Sequence, residues 1–124
     1  MKELTKAEEQ IMQILWEMEE GFVNDIVDRM PEPKPAYNTV STIVRILEKK
    51  GFVDHKAFGK THQYFPLIQK KDYTRSYMKS FIGSYFGNSF KEMVSFFAKE
   101  DNMSVGEIEK LMHEVKKEIE KEKQ

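Results

Sequence analysis

Asn38, Thr39, Ser41, Thr42 and Arg45 lie within one eight-residue stretch and carry the most pointed chemistry of the sequence. On a helix they occupy the side opposite Val40, Ile43, Val44 and Leu47, towards its N-terminal end. Such a helix fits the major groove of B-DNA, where its first turns meet base edges and phosphates. An Asn amide reads adenine through two hydrogen bonds, a Thr methyl touches the thymine methyl, and Arg takes guanine or phosphate. The helix N-terminus itself favours a phosphate. The competing local explanation is capping, because Asn, Thr and Ser are favoured at helix starts for their own backbone bonds.

Other chemistries find little support. His55, His62 and His113 are the only histidines. His55 and His62 stand seven residues apart without the carboxylate pattern of a zinc site. Asp54 beside His55 reads as strand-edge chemistry rather than a catalytic pair. There is no cysteine, hence no disulfide, thiolate ligand or thiol nucleophile, and no Gly-rich phosphate loop. The expectation is a non-enzyme with no catalytic residue, metal or cofactor. Absence of cysteine fits a reducing cytoplasm. No apolar run approaches membrane-spanning length, and MKELTKAEEQ lacks a signal-peptide layout, so a cytoplasmic chain without membrane insertion is expected.

Charge gives a further indication. The chain has 124 residues with net charge −1, which taken alone argues against a nucleic-acid binder. The charge is unevenly spread. Residues 1–33 hold three bases against nine acids, residues 34–66 six against two, and residues 67–124 eleven against ten. The basic excess coincides with the polar helix and the segment after it.

The elements that must position these side chains follow from periodicity. Residues 5–18 read as a helix with a Thr5–Glu8 capping box, an inward face of Ile11, Ile14, Leu15 and Met18, and Gly21 as its end. Phe22 to Met30 reads as a short second helix, stopped by Pro31, Pro33 and Pro35. A third helix spans roughly Asn38 to Lys50 and stops at Gly51. Phe52-Val53 and Tyr64-Phe65 are β-prone around a Phe58-Gly59-Lys60 turn, which gives a hairpin with a basic tip. The predicted fold class is mainly α with a small β-hairpin: an N-terminal winged helix-turn-helix, residues 1–68, plus a C-terminal helical dimerisation region, residues 69–124.

The run AYNTVSTIVRILEKKGFVDHKAFGKTHQYFPLI, together with LTKAEEQIMQILWEMEEGFVNDIVDRM, strongly resembles the penicillinase-repressor (BlaI/MecI/CopY) family of bacterial transcriptional regulators. The resemblance continues more weakly through KEDNMSVGEIEKLM. It implies a homodimeric repressor whose winged helices each read one half of a dyad-symmetric operator in double-stranded DNA. It offers Asn38, Thr39, Ser41, Thr42 and Arg45 as the reading helix and Lys56, Lys60, Thr61 and His62 as the wing that meets phosphates. In the antibiotic-sensing members a membrane sensor metalloprotease triggers cleavage at an Asn–Phe bond. That bond aligns with Phe96-Phe97, where the asparagine is absent. Copper-responsive members use a cysteine cluster that this chain lacks.

Downstream, Tyr73, Tyr77, Met78, Phe81, Ile82, Tyr85 and Phe86 form a helical stripe, and Gly87-Asn88-Ser89 breaks it. A short helix follows with Phe90, Met93, Val94, Phe96 and Phe97. A Ser104–Glu107 capping box opens a last helix with Val105, Ile108, Leu111, Met112, Val115 and Ile119. Fifty-odd residues in three helices make a poor independent core. A second copy would bury the surplus, so Tyr77, Phe81, Tyr85, Phe90, Val94, Phe97, Ile108, Leu111, Met112 and Val115 are expected at a dimer interface. The alternative function is a winged-helix protein-interaction adaptor that uses this aromatic surface.

Overall fold

The computed structural model describes residues 1–123. Its elements are α1 (Lys6–Met18), α2 (Val23–Arg29), α3 (Tyr37–Lys49), β1 (Val53–Phe58), β2 (Thr61–Pro66), α4 (Lys70–Phe86), α5 (Phe90–Glu100) and α6 (Val105–Glu122). The chain divides into two compact units, residues 1–78 and the residues from Lys79 onward.

In the first unit, α1 opens on the expected capping box. Thr5 Oγ1 accepts the Glu8 N–H at 3.2 Å, and Glu8 Oε1 accepts the Thr5 N–H at 2.8 Å. The 3–4 spacing of its apolar residues buries Ile11, Met12 and Leu15 completely. The helix ends at Met18, where the expected span 5–18 puts it, but Gly21 is not what stops it. Glu19 takes a left-handed φ of 71° and donates its N–H to the Leu15 carbonyl, which ends it at Met18. Gly21 does something else: it is buried and pairs with Tyr64, donating at 2.9 Å and accepting at 2.8 Å. That pairing ties the foot of the hairpin to the α1–α2 connection.

Helix α2 is held at both ends. The Asp25 carboxylate accepts the Phe22 N–H at 2.9 Å, and Lys34 Nζ donates to the carbonyls of Asp28 (2.7 Å) and Met30 (3.1 Å). Helix α3 starts at Tyr37, one residue before the expected Asn38, and stops where Gly51 takes φ 84°. Val40, Val44 and Leu47 are buried against α1 and α2. The hairpin pairs Val53 with Pro66 through Phe58 with Thr61, around a Gly59-Lys60 turn. Strand alternation therefore places His55, Ala57, His62 and Tyr64 on one face and Asp54, Lys56, Gln63 and Phe65 on the other.

The core joins Ile11, Met12, Leu15, Val23, Ile26, Val40, Val44, Leu47, Phe52, Val53 and Tyr64. Each such side chain contributes about 1.5–3 kcal/mol on full burial. Tyr73 belongs to it as well. Its ring lies 5.8 Å from Phe52 and 6.0 Å from Trp16, and its hydroxyl accepts the Leu4 N–H at 3.1 Å. Trp16 Nε1 donates to the Ile68 carbonyl at 2.9 Å. These anchors extend the first compact unit beyond the expected boundary at residue 68, and the division falls inside α4, after Met78.

In the second unit, Ser89 caps α5, and Ser104 with Glu107 forms the expected capping box of α6. Phe86 meets Phe96 at 5.7 Å and Phe97 at 6.3 Å, and Phe81 meets Tyr85 at 5.1 Å. Among the described residues, α5 and α6 contribute no buried side chain. Among the described residues, no helix is long and apolar enough to cross a membrane.

Candidate nucleic-acid interface

The first turns of α3 set the site. Tyr37, Ser41 and Arg45 recur every four residues and so share one helix face. Arg45 Nη2 donates to Ser41 Oγ at 3.2 Å, which lays the guanidinium along the helix. The hairpin brings Lys60, Thr61 and His62 against that same face. Together they line an open cleft of about 220 Å³, with Val23 and Tyr64 as its floor. Thr61 Oγ1 donates to the Phe58 carbonyl at 2.8 Å and fixes the turn. Phe58 packs edge-on against Phe22 at 5.9 Å, which steadies the wing beside α2.

The cleft is positively charged. Arg45 and Lys60 line it, and no carboxylate does. Tyr64 stays protonated there: burial pushes its phenol up, and the negative charge of Glu48 adds to that. A neighbouring hollow of about 290 Å³ runs on from Thr61 and His62 past Tyr37 to Asn24 and Asp25 at the start of α2.

The expected site residues divide on this geometry. Ser41, Arg45, Lys60, Thr61 and His62 come together. Asn38 and Thr39 are exposed at the start of α3, and Thr39 turns towards the Pro31-to-Pro35 loop. The Thr42 hydroxyl donates to the Asn38 carbonyl at 2.9 Å, as a helical threonine does without any ligand. Lys56 stands apart. It lies on the opposite hairpin face, 3.8 Å from Glu20 and 5.7 Å from the centre of the Phe65 ring. Tyr37 and Asn24 were not among the expected residues. The four-residue spacing Tyr37–Ser41–Arg45 was the available signal for Tyr37, whereas the place of Asn24 depends on how α2 docks.

The family described as penicillinase repressor matches residues 4–117. The chain belongs to the penicillinase repressor family. The methicillin resistance regulatory protein MecI of Staphylococcus aureus (strain N315) is 31% identical over 110 residues, which are 88% of this chain and 89% of that protein. The penicillinase repressor of Bacillus licheniformis is 26% identical over 110 residues, 88% of this chain and 86% of that one. The solved DNA binding domain of the repressor BlaI matches with a TM-score of 0.50 at 26% identity, over 59% of this chain and 94% of that domain. Members of the penicillinase repressor family are DNA-binding transcriptional repressors, not enzymes. The part of the chain matched by the BlaI domain is thus of the winged helix-turn-helix class.

Proposed function

We propose that the chain is a cytoplasmic transcriptional repressor that binds a dyad-symmetric operator as a homodimer. The observation that carries this reading is the cleft in which Ser41 and Arg45 of α3 meet Lys60, Thr61 and His62 of the wing. A helix set into the major groove brings Tyr37, Asn38, Thr39, Ser41, Thr42 and Arg45 to base edges, and Lys60 with Thr61 reaches the adjoining backbone. Two half-sites require two copies. Tyr77, Tyr85, Phe90, Val94, Phe97, Leu111, Met112 and Val115 are all more than a third exposed in the single chain, with Phe81 and Ile108 half-buried beside them. A second copy would bury them.

Release by an inducing signal completes the cycle, and regulated proteolysis initiated by a membrane sensor metalloprotease is the form we favour. Phe96 and Phe97, at the aligned cleavage position, are each 48% exposed. Footprinting on the chain's own promoter tests the reading, together with sedimentation equilibrium. The expected result is a protected dyad and a dimer. A monomer at tens of micromolar, or binding without preference for any upstream region at low salt, overturns it. Tight capture of a different protein by a chain that does not bind DNA would favour the adaptor function.

A further inference from the structure

Where α3 ends and the wing begins, three donors of mixed chemistry converge. Glu48 lies in the last turn of α3, and Asp54 and His55 open β1. One oxygen from each carboxylate and one imidazole nitrogen lie within 4.8 Å of one another. His55 Nδ1 already contacts Glu48 Oε2. Asp54 is steadied by its Oδ1, which accepts the His55 N–H at 2.8 Å. The His55 ring has little freedom. His62 stacks on it at 4.0 Å with the planes 7° apart, and Tyr64 lies 5.6 Å away on the same face.

We propose that Glu48, Asp54 and His55 form a binding site for a divalent transition-metal ion of the zinc class. First-row ions bind imidazole nitrogen and carboxylate oxygen at about 2.0–2.2 Å, so their ligand atoms stand roughly 3–3.5 Å apart. With His55 held, Glu48 and Asp54 would reach that spacing by side-chain rotation, since Asp54 is exposed and the Glu48 side chain is just over a quarter exposed. The ion takes the place of the direct Glu48–His55 contact, and water fills its open positions. A single nitrogen among oxygens selects zinc-like ions over magnesium and calcium, which prefer all-oxygen shells, and over copper(I), which prefers sulfur. The stacked His62 ring orients His55 from outside the coordination shell. Because the ligands come from α3 and β1, the ion clamps the reading helix to its wing. It also offsets the negative charge of Glu48, one turn on from Arg45 along α3.

Isothermal titration of the full-length chain with zinc chloride tests this, with thermal melts in parallel. The expected result is one saturable site per chain and a melting temperature that rises with zinc. His55→Ala and Glu48→Gln should each weaken binding at least about tenfold. His113→Ala, in the second unit, should titrate as wild type, and magnesium chloride should give no saturable binding. Far-UV circular dichroism verifies that each variant is folded. Should His55→Ala prove unfolded, Asp54→Asn and the wild-type cobalt(II) absorption spectrum decide instead. No saturable zinc binding at micromolar concentrations, wild-type affinity in His55→Ala, or equal binding of magnesium overturns the proposal. None of these outcomes depends on DNA binding.

Discussion

Lys56 and Lys60 are both exposed lysines of the wing, four residues apart, yet the hairpin sends them different ways. Lys60 sits at the turn beside Arg45 and Thr61, while Lys56 pairs with Glu20 on the opposite face. Their effects on DNA binding should therefore separate. The proposed dimer presents two wings, so Lys60→Ala should remove two phosphate contacts. At about 0.9 counterions per contact, the slope of log affinity against log salt should flatten by about 1.8. Over a fourfold rise in salt the variant should then lose about 12-fold less affinity than the wild type. Lys56→Ala should leave the slope where it was. Fluorescence anisotropy on a labelled operator duplex, repeated at four or five salt concentrations, measures both slopes. Equal flattening by the two variants would refute the face assignment of the hairpin. No flattening by Lys60→Ala would refute the cleft as the phosphate-facing surface.

Arg45→Ala should weaken operator binding by about 1–3 kcal/mol and relax the preference at one base position, as a panel of single-base operator variants would show. Glu8 should contribute to the acid sensitivity of the fold. Burial alone would raise its carboxyl, but the bonds from Lys50 (2.8 Å) and Thr5 outweigh this and hold it below the ordinary Glu value. A lowered folded value means the contribution is present above the unfolded pKa and is lost as pH falls through the folded one. Melting temperature should drop accordingly in acid. Lys50→Met should cost about 1–3 kcal/mol at neutral pH and show a shallower acid dependence in the same melts. Lys34→Met should lower urea stability by about 0.3–1 kcal/mol through the uncapped carbonyls of α2. Leu111→Lys should weaken the dimer by about 2 kcal/mol, or roughly 30-fold in dissociation constant, by sedimentation, without changing the first unit's melt.

What was legible in the sequence was what is local. The Thr5–Glu8 and Ser104–Glu107 boxes, the stop at Gly51 and the Gly59 turn are decided by residues a few positions apart, and each stands where the pattern puts it. The end of α1 at Met18 was legible, but the residue that stops it was not, because a glutamate at φ 71° gives no compositional sign and Gly21 was the more obvious stop. Gly21 answers to Tyr64, 43 residues on, and that pairing exists only once the hairpin has docked. Tyr73 looked like the first residue of a C-terminal stripe. Its partners Leu4, Trp16 and Phe52 are remote in sequence, so periodicity could show that it is buried but not in which unit. At the candidate site, residue type identified Arg45 and Lys60. Separating Lys60 from Lys56 required the strand register, which fixes the faces.

Trp16 is the only tryptophan of the chain. Its indole donates to the Ile68 carbonyl and its ring adjoins Tyr73, so its surroundings change when residues 68–73 leave α1. Selective excitation of that indole therefore observes the first unit, whereas the aromatics of the second are Tyr and Phe. Far-UV dichroism observes the helices of both. One unfolding experiment on the unlabelled protein thus carries two independent optical channels. Superimposable curves mean that the two units melt as one cooperative block, and displaced curves give each its own stability.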